Sequence, residues 1–224
     1  MIIGISGKAR SGKDTFATML ATELNKESRP SYIMMAFANE LKLRCQAAFD
    51  LTFEQLWGND KEKYDQRYPK LRGPLPYCVG NRDDGKGLEV LEERKHWTAR
   101  EIMQDYGAFY RTIDNQFWIK NLFKVAKEKE YTSVIVTDVR YINEADYIID
   151  NGGYVIRVER ENKDSVHNQE HPSEVELDGY NRFDFTIDNS GTLEQLKEAA
   201  ARCTRFLKDT EKDLKKIKEI KING

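Results

Sequence analysis

The sequence predicts an α/β fold in which a parallel β-sheet of about five strands is covered by helices on both faces. Short apolar, β-branched segments alternate with longer segments whose apolar residues recur every three to four positions, as in buried strands and amphipathic helices. In addition, the first strand leads through a glycine-rich loop into a helix. The length of 224 residues suits a single domain, predicted over residues 1–224.

The first half of the chain begins with a predicted strand at residues 2–6, followed by a helix from Thr15 to Leu24. A second strand is predicted from Tyr32 to Phe37, and helical segments follow it. Thr52 and Gln55 have the spacing of a capping box, which marks the start of a helix. Residues 58–97 are rich in glycine, proline and charge and lack periodicity, so they are predicted to form a mobile insertion.

The second half returns to regular patterns. Thr98 and Glu101 form another capping-box pattern, and the apolar spacing from Phe117 predicts the next helix. Strands are predicted at residues 133–137, 154–158 and 185–187, with a helix between the first two. One long helix is predicted from Thr192 onward.

Composition limits the function classes. The chain has 36 Lys and Arg against 38 Asp and Glu, a net charge of -2, which disfavours nucleic acid and membrane surfaces as partners. Mean hydropathy is -0.72 and no apolar run is long enough to cross a bilayer, so a soluble protein is expected. No export signal is readable, and Cys45, Cys78 and Cys203 fit reduced thiols, so a cytoplasmic location is predicted.

The strongest functional signal is the loop that runs from Gly7 to Thr15 and has the pattern G-x-x-x-x-G-K. A polyphosphate needs backbone N–H groups, the positive end of a helix and a flexible ammonium. The loop predicts ATP binding, with Lys13 as a catalytic residue; the alternative is a glycine turn that precedes an ordinary helix. Asp14 stands where a hydroxyl usually meets Mg²⁺, and Thr15 carries the hydroxyl instead. The predicted ATP-binding residues of the loop are Gly7, Arg10, Ser11, Gly12, Lys13, Asp14 and Thr15.

A second site is predicted at Asp138 and Arg140, at the carboxyl end of a strand, where parallel sheets place ligands. Asp138 is a candidate to orient Mg²⁺ through water or to accept a hydrogen bond from substrate. Arg140 is a candidate phosphate contact. The alternative is that Asp138 caps the next helix and Arg140 is a surface charge.

Taken in order, these motifs resemble the bacteriophage deoxynucleoside monophosphate kinases of T-even type, over most of the chain. The resemblance rests on segments 6–15, 37–42, 100–107, 138–145, 152–153, 171–174 and 188–193, together with Trp118. It implies a P-loop kinase fold with Mg²⁺ as cofactor. It also implies transfer of the γ-phosphoryl of ATP to a deoxynucleoside 5′-monophosphate, giving the diphosphate and ADP.

The resemblance implies further roles. Residues 58–97 become an inserted substrate lobe and residues 161–182 a lid, with Arg160 over the transferring phosphoryl and Asn189 near the donor adenine. The acceptor-binding residues implied are Lys8, Phe37, Ala38, Lys42, Arg100, Gln104, Gly107, Trp118, His171, Ser173 and Glu174.

Two other functions remain open at this point. One is dephospho-coenzyme A kinase or another small-molecule kinase with the same loop. The other is a nucleotide-binding switch protein, although the Asn-Lys-x-Asp pattern of GTPase switches is missing. The expected partners are small nucleotides. The sequence leaves open which bases are accepted and whether the protein forms a homodimer.

Overall fold

The computed structural model describes residues 1–26, 31–72, 89–90, 96–160 and 172–222. Residues 161–171 of the predicted lid (161–182) and much of the predicted insertion (58–97) therefore lie outside the described residues. The elements in chain order are β1 (Ile2–Ser6), α1 (Lys13–Asn25), β2 (Ile33–Met35), α2 (Phe37–Phe49), α3 (Phe53–Leu56), a 3₁₀ turn (Asp60–Glu62), β3 (Tyr64–Pro69), β4 (Leu71–Arg72), β5 (Glu89–Val90), β6 (His96–Thr98), α4 (Ala99–Ile113), α5 (Phe117–Glu128), β7 (Val134–Val139), α6 (Ile142–Asp150), β8 (Tyr154–Glu159), α7 (Pro172–Val175), β9 (Phe185–Asp188) and α8 (Leu193–Ile222).

The chain divides into two units, one made of Met1–Asn39 with Gln116–Gly224 and the other of Glu40–Asn115. The first unit contains a five-stranded sheet in the order β2-β7-β1-β8-β9. Every neighbouring pair of strands in this sheet is parallel. The predicted α/β fold with a parallel sheet and flanking helices is confirmed.

Helices cover both faces of this sheet. On one face, α1 and α8 pack through Phe16, Leu20 and Leu207 against β-branched side chains such as Ile3 and Ile5, all fully buried. On the other face α6 approaches closely, because a Cβ on Gly4 would lie only 2.7 Å from Cδ1 of Ile148. A glycine in the central strand therefore lets this helix sit directly on the sheet.

The second unit contains two antiparallel pairs, β3 with β6 and β4 with β5. Both predicted capping boxes are present here: Thr52 with Gln55 begins α3, and Thr98 with Glu101 begins α4. A small core of Cys45, Leu51, Leu56, Ala99 and Ile102 lies beneath them. The unit therefore contains strand pairs where the sequence showed no periodicity.

The second strand, predicted from Tyr32 to Phe37, extends further toward the C-terminus than the strand in the structure. Phe37 belongs to the first turn of α2 and not to β2, which ends at Met35. Phe37 and Ala38 donate their backbone N–H groups to the carboxylate of Asp138, so an acidic side chain from far along the chain fixes the start of this helix. Among the described residues, no helix is both long and apolar enough to span a membrane.

Candidate active site

The loop between β1 and α1 has a conformation that favours glycine at its end. Gly12 has φ +87°, and a Cβ there would lie 2.2 Å from Nδ2 of Asn189. Arg10 also takes a left-handed backbone conformation, with φ +63°, which is uncommon for a residue with a side chain. Gly12 precedes α1 and provides no capping side chain, so the positive end of this helix faces the loop.

Lys13 is the first residue of α1 and is 9% exposed. Its Nζ lies 3.2 Å from Oδ2 of Asp14, a side chain that is largely exposed. Thr15 is exposed on the same turn. The hydroxyl of Ser11 is buried and has no hydrogen-bond partner among the described residues. Residues 11–15 thus bring together the ammonium of Lys13, the carboxylate of Asp14, the hydroxyl of Thr15 and the unsatisfied hydroxyl of Ser11.

Asp138 lies near the carboxyl end of β7, as predicted, and both of its carboxylate oxygens are engaged. Oδ1 accepts from the N–H of Phe37 at 2.7 Å and Oδ2 from that of Ala38 at 2.9 Å. Asp138 therefore caps α2, an earlier helix, rather than the following one. The following helix, α6, has Glu144 at its start instead, accepting from the backbone N–H groups of Arg140 and Tyr141 at 2.9 and 3.2 Å.

Arg140 forms an ion pair with Glu174 and also donates to the carbonyl oxygen of Ser173 at 3.2 Å. Burial opposes its charged form, but the carboxylates of Glu174, Asp138 and Glu144 outweigh that effect and raise the pKa of Arg140. The second oxygen of Glu174, Oε2, accepts from the N–H of Ala9 at 3.1 Å. The structure thus brings Arg140, Glu174 and the glycine-rich loop together.

A buried cation beneath the loop was missed by sequence reasoning. Arg157 on β8 is 6% exposed and donates to the hydroxyl of Ser6 at 3.1 Å and to Asp178 at 3.2 Å. Asp178 also accepts from Nζ of Lys8 at 2.7 Å. The signal was a single charge inside an apolar strand, since buried arginine is rare unless it is paired.

Asn189 lies in the turn after β9, where its side-chain amide donates to the carbonyl oxygen of Ser11 at 2.8 Å. This side-chain contact supports the glycine-rich loop from the side of Gly12. Arg160 follows β8 and is exposed. His171 lies outside the described residues.

The remaining candidates are distributed between the two units. In the first, Trp118 on α5 is 2% exposed and meets Phe117 edge to face. In the second, Nζ of Lys42 lies 5.6 Å from the centroid of the Trp57 ring, and Arg100 forms an ion pair with Glu62. The other two lie with Arg100 on α4: Gln104 is half-buried, and Gly107 is buried against Leu41.

In the part of the chain that the structure describes, no three or more His, Cys, Asp or Glu side chains gather as a metal site. The two described cysteines, Cys45 and Cys203, are buried free thiols. Burial raises the pKa of the Cys45 thiol to about 12, so it is protonated and inert at neutral pH.

The chain is similar to known proteins along most of its length. The sequence pattern of the family described as deoxynucleotide monophosphate kinase matches residues 81–200. A protein of Acanthamoeba polyphaga mimivirus named "Putative deoxynucleotide monophosphate kinase" is 30% identical over 207 residues. That alignment covers 91% of this chain and 95% of the viral protein.

Proposed function

The chain belongs to the deoxynucleotide monophosphate kinase family, and we propose that it carries out the ATP-dependent transfer at the loop Gly7 to Thr15. The γ-phosphoryl of ATP passes to the 5′-phosphate of a deoxynucleoside monophosphate, giving the diphosphate and ADP. The observation that carries this placement is Lys13 at the positive end of α1, directly after Gly12, whose left-handed backbone conformation favours glycine. Such an end binds phosphate through backbone N–H groups and the helix dipole.

The donor side needs positive charge more than acid or base groups. A phosphoryl group passes through a loose transition state, so positioning and charge stabilisation do most of the work. We assign this role to Lys13 and Arg140, with Arg160 as a further cation over the transferring group. Asn189 acts with them by fixing the loop, and we also assign it to the adenine side of ATP.

The oxygen groups of this site fit Mg²⁺, which usually keeps several waters and takes only one or two protein ligands beside the phosphates. We propose that the exposed hydroxyl of Thr15 holds the ion and that Asp138 reaches it through water. A carboxylate oxygen keeps a second lone pair after accepting one backbone N–H, so the helix contacts of Asp138 are compatible with this role. Bound Mg²⁺ neutralises charge on the β- and γ-phosphates.

For the acceptor we propose Lys42 and Arg100 as phosphate contacts, and Gln104 and Trp118 as the walls of the base site. Glu62 neutralises Arg100 in the described structure, so acceptor binding has to exchange this carboxylate for a phosphate. We expect deoxynucleotides to be preferred, because a 2′-hydroxyl left without a partner costs about 1–3 kcal/mol, or roughly ten- to a hundredfold in kcat/KM.

We further propose an enzyme of the T-even bacteriophage type that works on free nucleotides in the host cytoplasm. The net charge of -2, which offers no strong field for a nucleic acid, and the free thiols support this setting. The sequence leaves open whether the protein forms a homodimer, and light scattering of the purified protein measures this directly.

The function is tested with a panel of ribo- and deoxynucleoside monophosphates and ATP, followed by ADP release. Lys13→Ala should lower turnover by on the order of 10²-fold or more while the fold is kept, since its ammonium stabilises charge that develops on the phosphates. Lys26→Ala, at the far end of the same helix, is the matched control. Near-normal turnover of Lys13→Ala, or activity with dephospho-coenzyme A alone, would contradict the proposal.

A further inference from the structure

One carboxylate occupies two anion-binding groups of the proposed site at once. Oε1 of Glu174 pairs with the guanidinium of Arg140, and its Oε2 accepts from the backbone N–H of Ala9 at 3.1 Å. The Arg140 and Glu174 side chains are mostly buried, with 27% and 16% of their surfaces exposed. The contact joins α7, which lies within the predicted lid, to the phosphate loop and to the residue that follows β7.

Arginine and a backbone N–H recognise carboxylate and phosphate by the same chemistry. A guanidinium donates two parallel bonds to either group, and a loop N–H binds the oxygen of any anion. A phosphoryl group carries more charge than a carboxylate and a third acceptor oxygen. The two donors that Glu174 now fills are therefore suited to a phosphoryl group.

A second carboxylate in residues 172–178 also contacts the loop. Asp178, four residues beyond Glu174 in the turn that follows α7, accepts from Nζ of Lys8 at 2.7 Å. Two successive loop residues thus each contact a carboxylate from this segment: Lys8 contacts Asp178, and Ala9 contacts Glu174. A nucleotide polyphosphate on the same loop would bring several negative charges close to these carboxylates, and like charges in a partly buried site repel strongly.

We propose that Arg140 and the N–H of Ala9 form a subsite for a nucleotide phosphoryl group, in which the Glu174 carboxylate stands until nucleotide replaces it. This inference rests on the proposed placement of the phosphates at the loop. Glu174 is then a competitor of the phosphoryl group and not one of its ligands, so phosphate binding has to break its two contacts first. Removal of its charge should strengthen phosphate binding.

The test measures binding of inorganic tripolyphosphate, without base or sugar, by isothermal titration calorimetry. Glu174→Gln, which keeps the shape and removes the charge, should bind it about tenfold more tightly than the wild type, the effect expected for losing a charge-assisted contact. Glu176→Gln is the matched control, because Glu176 lies two residues on and contacts the N–H of Ile142, away from the loop. Its affinity should equal that of the wild type.

Equal or weaker binding by Glu174→Gln would overturn the inference, since it would make Glu174 a support of the loop and not a competitor. If that variant did not fold, Glu174→Asp, one methylene shorter, should likewise bind more tightly, and weaker or equal binding by it is equally decisive. Lys13→Ala tests the placement separately. If tripolyphosphate binds that variant as it binds the wild type, the phosphate site is elsewhere, whatever Glu174 does.

Discussion

Replacing Asp138 with asparagine should destabilise the protein even when no metal or nucleotide is present. The two carboxylate oxygens accept from Phe37 and Ala38 at 2.7 and 2.9 Å. An amide keeps one of these contacts and turns an NH₂ donor toward the other N–H, which then has no acceptor. A hydrogen bond to a charged group contributes about 1.5–3 kcal/mol, and the charge at the helix start contributes about 0.3–1 kcal/mol more.

A total loss of about 2–4 kcal/mol is therefore expected for Asp138→Asn, a large part of a typical folding free energy. For a chain of this size, each kcal/mol lowers Tm by about 2–4 °C, so Tm should fall by about 4–16 °C. Circular dichroism melting in buffer that contains EDTA measures this without any contribution from Mg²⁺. Asp209→Asn, on the exposed face of α8, is the control.

If the Tm of Asp138→Asn stays within about 1 °C of the wild type, the cap does not stabilise the helix start and the reasoning is refuted. A second measurement separates the metal role. If Asp138 also orients Mg²⁺ through water, the Mg²⁺ concentration for half-maximal activity should rise in the variant at a temperature where it remains folded. If the Mg²⁺ dependence is unchanged, Asp138 serves only to cap α2.

Three further outcomes are expected. Thr98→Ala should cost about 0.5–2 kcal/mol by removing the cap of α4, seen as a lower urea midpoint; an unchanged midpoint would contradict the capping box. Hydrogen bonds from the Arg67 guanidinium hold the pKa of the Asp65 carboxyl below the usual 3.8. The stability that this ion pair provides is therefore complete above that pH and is lost progressively as the pH falls below it. Urea midpoints measured from pH 6 to 2.5 should therefore fall less steeply for Asp65→Asn, and a parallel fall would refute this. Arg157→Lys should raise the KM for ATP about tenfold, since one ammonium cannot replace two guanidinium contacts with Ser6 and Asp178. Lower stability with an unchanged KM would show that Arg157 serves the fold only.

Local features were predictable from the sequence. The capping boxes at Thr52 and Thr98 depend on residues three apart, and both form as the pattern predicts. Strand β1 and the helix after the loop follow from apolar runs and spacing in the same way. In each case the physical cause lies within a few residues of the effect.

Features that depend on distant partners were not predictable. The partner of Asp138 lies about a hundred residues earlier in the chain, so the choice between the next helix and α2 has no local signal. The pairing of β3 with β6 joins Tyr64 to Thr98 across the insertion, and Pro69 interrupts any strand pattern. The family resemblance singles out Glu174 as an acceptor-binding residue, but its contacts with Arg140 and with the loop have no local signal in the sequence.

The central position of β1 has a consequence for synthesis of the protein. Ile3 pairs with Ile135 on one side and with Tyr154 on the other, so this strand has to wait for neighbours that are synthesised more than a hundred residues later. Residues 40–115, by contrast, are contiguous and are complete before either neighbour appears. Such long-range pairing makes folding slow and keeps apolar strands uncovered during translation. Ile3 and Ile5 therefore stay accessible to a chaperone on the nascent chain until β7 and β8 have been synthesised.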